Sequence, residues 1–223
     1  MARPRVLLTG FGPFPGVADN PSAWLAETLA QRPPPRDVDA EFHARVLPTA
    51  WQAAQSMPRL YDELQPHVVI HFGVSQRART FRIERFAHNR AARRADAYGL
   101  MPSEPQIQAE GAERFDTKLP GAAVAAHLRA CGVAAASSRS AGSYLCNFLY
   151  YHSLDWALRQ PDPRLVLFVH VPPLDLFAPE TLLRGGQETL HFVLASADTQ
   201  QKLSPATGPA FARGETILSA KDA

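Results

Sequence analysis

Cysteine is almost absent. Cys131 and Cys146 are the only two in 223 residues, too few for a disulfide framework. A chain without bridges suits a reducing compartment, where both thiols stay reduced and one of them can serve as a nucleophile. Long apolar runs are also missing: none approaches the roughly 20 residues needed to span a bilayer. Met1–Arg5 leads straight into a short apolar strand, not into the long apolar core and small-residue cleavage site of a secretory leader. A cytoplasmic location is therefore expected. Charge of one sign is lacking too, with 23 basic against 21 acidic side chains and a net charge of +2. That balance leaves no electrostatic footprint for nucleic acid or a membrane surface. Hydrophobic residues at 46% and charged residues at 20% are ordinary for a folded chain and exclude wholesale disorder.

What is present is an alternation of strands and helices. Arg5-Val-Leu-Leu-Thr9 reads as a buried strand running into the turn-rich Gly10-Phe-Gly-Pro-Phe-Pro-Gly16. Asn20-Pro-Ser opens a helix through about Gln31, with Asn20 as N-cap and Pro21 at the first helical position. Ala40–Leu47 alternates as a strand, and Trp51–Leu64 as a helix that Pro58 must kink or interrupt. His67–Gly73 is a second buried strand. Thr80–His88 alternates as one further strand, and residues 90–119 form a long polar surface loop without a clear period. Pro120–Cys131 is helical, Val133–Ser138 a strand, and Ser143 to about Arg159 a helix capped by Ser143. Leu165–His170 is the last buried strand. A helix over Pro179–Ala195 follows, with an awkward Gly185-Gly186 inside it. Residues 1–198 are read as one domain and 199–223 as a weakly ordered tail. Continuously apolar strands between helices predict an α/β sandwich with a largely parallel sheet. Ligands in such folds bind beyond the carboxyl ends of the strands.

Several residues near those ends could carry chemistry. The turn with Gly10, Gly12 and Gly16 is one residue too long for the dinucleotide fingerprint, and Pro13 and Pro15 remove donors that a pyrophosphate needs. Phe11 and Phe14 either plug the core or form an apolar slot. Capped by Ser143, Cys146 falls at the third helical position. There, unpaired first-turn N–H groups and the helix dipole favour a thiolate and an oxyanion. A buried structural cysteine is the competing reading. Cys131 ends a helix beside Gly132 and is assigned to packing. His170 closes a buried strand, either as a general base or as a histidine satisfied by backbone. Glu84 either orients that base or, flanked by Arg82 and Arg85, is a solvated ion-pair partner. No metal site is read: His67 and His71 lie about 13 Å apart on a strand, and no C-x-x-C or H-E-x-x-H occurs. The arginines at 90, 93 and 94 read as a solvated face. No G-x-S-x-G elbow appears.

Six segments in order resemble the pyroglutamyl-peptidase I (pyrrolidone carboxyl peptidase) family of C15-type cysteine peptidases. They are Thr9-Gly-Phe-Gly-Pro-Phe14, Asn20-Pro-Ser22, Phe72-Gly-Val-Ser75, Ile83-Glu-Arg-Phe-Ala-His-Asn89, Ala141-Gly-Ser-Tyr-Leu-Cys-Asn147 and Phe168-Val-His-Val-Pro-Pro-Leu174. The resemblance implies a single-domain α/β/α sandwich of the phosphorylase/hydrolase-like type with no metal and no cofactor. It implies a catalytic triad of Cys146, His170 and Glu84, with Phe11 and Phe14 bracketing a pyroglutamyl ring. The implied substrates are small peptides with N-terminal pyroglutamate. A homo-oligomer is implied as well, since bacterial members are commonly tetramers. Many members carry Gly-Gly-Arg where this chain has Gln76-Arg77-Ala78, and a serine-asparagine pair where it has Ser138-Arg139. Two other classes stay open: a nucleoside phosphorylase-like enzyme on a similar sandwich, and a catalytically impaired binder of peptide N-termini.

Overall fold

In the computed structural model, the chain is described over residues 3–14, 16–34 and 39–203. Its main sheet has the order β2-β1-β3-β8-β4-β7, built from β1 (Arg5–Phe11), β2 (Glu41–Leu47), β3 (Val68–Val74), β4 (Phe81–Glu84), β7 (Ala135–Ser138) and β8 (Leu165–Val171). β1, β3 and β8 are buried almost throughout. Apolar side chains on both faces of a strand demand cover on both faces, and parallel strands obtain it from crossover helices. One core joins Val6, Leu8, Ile70, Leu167 and Val169 to α1 (Pro21–Gln31), α3 (Gly121–Ala130) and α5 (Pro179–Leu203). The other joins Leu7, Val69, Val166 and Phe168 to α2 (Trp51–Leu64) and α4 (Leu145–Leu158). The result is the expected three-layer α/β/α sandwich. The sheet is mixed, because β4 runs antiparallel to β8 and parallel to β7.

The N-terminal signals act as read. The Asn20 side chain accepts from the Ser22 amide, and Pro21 opens α1. The same Asn20 donates to the Gly12 carbonyl at 3.0 Å, and Ser22 Oγ accepts from the Phe11 amide at 3.0 Å. This Asn-Pro-Ser clasp ties the end of β1 to the start of α1 and so holds the turn bearing Phe11 and Phe14. α2 runs through Pro58 in one piece, losing one in-helix bond without ending there. Gly185 and Gly186 also have a packing reason. A Cβ on Gly186 would lie 2.8 Å from Leu29 Cδ1 and 2.9 Å from Leu25 Cδ1, and one on Gly185 would run into the Phe81 ring. The glycines let α5 sit close against α1 and β4.

Three expectations change. The run Thr80–His88 is not one strand: β4 ends at Glu84, and β5 (Phe86–His88) pairs instead with β6 (Arg114–Asp116) in a separate two-stranded sheet. Phe86 and Ala87 are both buried, so strict alternation breaks there and the chain turns out of the main sheet to pack on α4. The loop over 90–119 therefore contains a strand, and side-chain bonds order the rest. Asn89 accepts from the Ile107 and Gln108 amides, each at 2.9 Å, and Asp96 accepts from the amides of Trp51, Tyr98 and Leu100. Finally, α5 continues past Ala195 to Leu203. The rest of the tail read over 199–223, from residue 204 on, lies outside the described residues, as does Pro15.

His71 is fully buried in a polar network. Its Nδ1 meets Thr9 Oγ1 at 2.7 Å and its Nε2 meets Ser153 Oγ at 2.9 Å, while Ser153 also bonds Tyr61 at 2.6 Å. Burial pushes its pKa from 6.5 down to about 3. The folded chain thus refuses a proton that the unfolded chain accepts. Stability is fully present above pH 6.5 and declines as pH falls toward 3, by up to about 1.4 kcal/mol per pH unit from this group. Denaturant titrations between pH 7 and pH 4 should show that loss, with the His71 imidazole resonances staying neutral throughout. A His71 that titrates near 6 would contradict the assignment.

Candidate active site

β8 delivers His170 near its carboxyl end, and β4 delivers Glu84 beside it from the opposite direction, in a register that sets Arg82 against His170 and Glu84 against Phe168. His170 Nδ1 lies 2.9 Å from Glu84 Oε1. A carboxylate only accepts, so Nδ1 carries the proton and Nε2 is left to face the remaining partner. Glu84 is wholly buried. Arg82 approaches its Oε1 at 3.7 Å while donating to Ser138 Oγ at 2.8 Å. Arg85 stacks instead on the Phe86 ring, 4.8 Å from its centroid. Glu84 is therefore no solvated partner of two flanking arginines, as the simplest reading of its neighbours suggested. It is buried against an imidazole, with one arginine at longer range.

Cys146 reaches the same place from α4. The helix starts one residue later than Ser143 as cap would require: Tyr144 is the N-cap, with no side-chain capping bond, and Cys146 is the second helical residue. The Tyr144 hydroxyl is used elsewhere, donating to the Ala95 carbonyl at 2.8 Å. No cap side chain therefore occupies the first-turn N–H groups, which carry the positive end of the helix dipole. The buried Asn147 fixes this end of the helix. Its Nδ2 donates to the carbonyls of His88 and Arg90, at 2.8 and 2.9 Å, and its Oδ1 accepts from the His88 amide at 2.8 Å. Gly73, the register partner of His170 across β3 and β8, makes room for the thiol. A Cβ there would stand 3.1 Å from Cys146 Sγ and 2.8 Å from Phe168 Cζ.

The electrostatics agree with this placement. Burial alone lowers the pKa of His170. The negative charge and hydrogen bond of Cys146, and then the hydrogen bond and charge of Glu84, outweigh it and lift the pKa from 6.5 to about 9. Beside Cys146 and Glu84 the charged form of the His170 ring is favoured. It can hold a thiolate ready and later return a proton.

A cleft of about 550 Å³ opens onto Cys146, with Phe11, Phe14, Thr49, Arg77, Arg94 and Tyr144 among its lining residues. Phe11 belongs to the core beneath and also borders the cleft. Gln76 and Arg77 border the cleft, and Gln76 Nε2 donates to the Gly16 carbonyl at 3.1 Å. Ala78 is buried, whereas Arg139 is exposed and outside the lining. Arg94 was missed. Its guanidinium lies 4.8 Å from the Tyr144 ring centroid and borders the cleft. In sequence it is one of three arginines in a polar stretch, and nothing local separates it from the other two.

A sequence model of the pyroglutamyl peptidase family matches residues 4–184. The pyrrolidone-carboxylate peptidase of Thermococcus litoralis is 32% identical over 170 residues, covering 75% of this chain and 76% of that protein. Human pyroglutamyl-peptidase 1 is 34% identical over 179 residues, covering 78% and 82%. Among solved structures, the pyrrolidone carboxyl peptidase from Thermococcus litoralis superposes with a TM-score of 0.80 at 27% identity, covering 88% of this chain and 96% of that one.

Proposed function

Since the chain belongs to the pyroglutamyl peptidase family, we propose that it removes N-terminal pyroglutamate from peptides with Cys146 as nucleophile, His170 as general base and Glu84 as the residue that orients His170. The observation that carries this assignment is the convergence of three distant segments. The cysteine sits in the first turn of α4 beside Gly73, whose register partner is His170, and His170 bonds a buried carboxylate. The family matches favour neither the phosphorylase-like alternative nor the impaired binder.

His170 Nε2 holds the proton taken from the Cys146 thiol, and the thiolate so formed attacks the pyroglutamyl carbonyl carbon. The carbonyl oxygen gathers charge near the first-turn N–H groups of α4, which donate to it. His170 then protonates the departing amine as the C–N bond breaks, leaving a thioester. Water, deprotonated by the same imidazole, hydrolyses that thioester and restores the thiol. Glu84 keeps the proton on Nδ1 and stabilises the charged ring. The pyroglutamyl lactam is compact and uncharged, so an aromatic slot formed by Phe11 and Phe14 accepts it, whereas free N-terminal glutamate brings charges that the slot would desolvate unpaired. Assembly into homo-oligomers, a cytoplasmic location and the division into residues 1–198 and a tail belong to this proposal. Among the described residues no helix is long and apolar enough to cross a membrane.

The test compares kcat/KM for pyroglutamyl, prolyl and glutamyl amides. The prolyl ring is similar in size but has an ionised amine and no lactam carbonyl, so its turnover is expected to be lower by roughly a thousandfold or more. Phe11→Ala or Phe14→Ala should lower kcat/KM for the pyroglutamyl amide by about 10- to 100-fold, as expected for losing aromatic contact of about 1.5–3 kcal/mol. Alkylation of Cys146 should stay nearly unchanged in both variants. Equal turnover of the prolyl amide would show that this slot does not select a lactam.

A further inference from the structure

On the opposite face of the sheet from the thiol, α3 and α5 bring together three side chains that the reaction leaves unused. His127 stands near the end of α3, Cys131 is its C-cap, and Glu188 reaches both from α5. His127 Nε2 lies 2.9 Å from Glu188 Oε2, Cys131 Sγ 3.4 Å from the same oxygen, and Cys131 Sγ 3.9 Å from His127 Nε2. All three donor atoms fall within 4.8 Å of one another, and all three residues are half-buried.

Without an ion, an ion pair between His127 and Glu188 accounts for the shortest of these contacts and a hydrogen bond donated by the Cys131 thiol to the same oxygen accounts for the next. Tetrahedral zinc accounts for all three. With bonds of about 2.0 Å to nitrogen and oxygen and about 2.3 Å to sulfur, its ligand atoms stand about 3.3–3.6 Å apart. The observed edges lie within a few tenths of an ångström of that figure, so small rotamer changes suffice. The donor set is selective as well. A thiolate and an imidazole suit zinc, whereas calcium and magnesium require oxygen ligands. His191, one turn beyond Glu188 on α5, places its ring centroid 6.0 Å from that of His127, a second imidazole beside the cluster.

We propose that His127, Cys131 and Glu188 form a Zn²⁺ site that clamps α5 to α3. Binding releases the proton of the Cys131 thiol, and His127 coordinates through Nε2. His127 keeps its Nδ1 proton, and water completes the coordination. The ion takes no part in peptide hydrolysis, so the proposal stands or falls independently of the active site.

The experiment uses the Cys146→Ser chain, which removes the other thiol. Titration with Co²⁺ is expected to saturate at one equivalent with a thiolate-to-cobalt charge-transfer band that Zn²⁺ abolishes. Zn²⁺ should also raise its Tm by several degrees, because the ion binds the folded chain preferentially. Adding Cys131→Ser should remove both effects, and adding Glu188→Gln should weaken cobalt binding at least tenfold. Cys131→Ser with Cys146 intact should keep full pyroglutamyl hydrolysis, which establishes that the variant is folded. Absence of the band in the Cys146→Ser chain would overturn the proposal. So would its persistence without Cys131, or cobalt affinity unaffected by Glu188→Gln.

Discussion

Cys146→Ala should reduce hydrolysis of a fluorogenic pyroglutamyl amide by roughly ten-thousand-fold or more, to the level left by binding and oxyanion contacts alone. Alkylation of the intact protein should abolish activity in step with modification of a single thiol, and Cys131→Ser should remain equally sensitive. A chelator should leave the rate unchanged, since the only metal site proposed lies away from the reaction. The substitution has a second readout. Because Cys146 is the largest influence holding the His170 pKa up, its removal should bring that pKa down from about 9, visible in the imidazole resonances. The sign follows from the raised value. The charged His170 stabilises the folded chain fully below pH 6.5, and that contribution is lost as pH rises from 6.5 to about 9. Cys146→Ala should move the end of that window to lower pH. Full activity in Cys146→Ala, or an unmoved His170 titration, would remove Cys146 from the assignment.

His170→Ala should be nearly as damaging, losing turnover by roughly ten-thousand-fold, because both proton transfers depend on the imidazole. It should also lower stability, since the buried Glu84 carboxylate loses its partner at 2.9 Å and keeps only Arg82 at 3.7 Å. Glu84→Gln retains the imidazole and carries no stranded charge. Its loss of kcat should be smaller than that of His170→Ala, with little change in Tm. The combination separates two roles. If Glu84→Gln keeps wild-type kcat, the carboxylate serves Arg82 rather than the base. If its kcat falls while KM and Tm hold, Glu84 acts through His170.

The parts of this molecule legible in the sequence are those encoded by near neighbours. The apolar runs at Val6–Leu8, Val68–Ile70 and Leu165–Val169 became the buried central strands. Asn20-Pro-Ser became the cap of α1, and Cys146 fell within the first turn of a helix, though one position earlier than expected. Each depends on contacts a few residues long, which periodicity and capping chemistry report directly. The six family segments extended that reading to the whole fold.

Where a polar side chain ends up was a matter for tertiary structure. Glu84 and His170 are 86 residues apart, and only the antiparallel placement of β4 beside β8 turns an acid flanked by arginines into a buried partner of the imidazole. Arg94 stands at the cleft in a loop tied to Trp51, whose indole N–H donates to the Arg94 carbonyl and whose amide donates to Asp96, bonds between segments with no shared period. Cys131, legible only as a packing residue, meets Glu188 because Gly185 and Gly186 let α5 approach the sheet beside α3. Local sequence determines helices, strands and their apolar faces, since those follow from backbone geometry and nearest neighbours. Protonation, pairing and chemistry depend on what stands across the gap, and only the packed layers decide that.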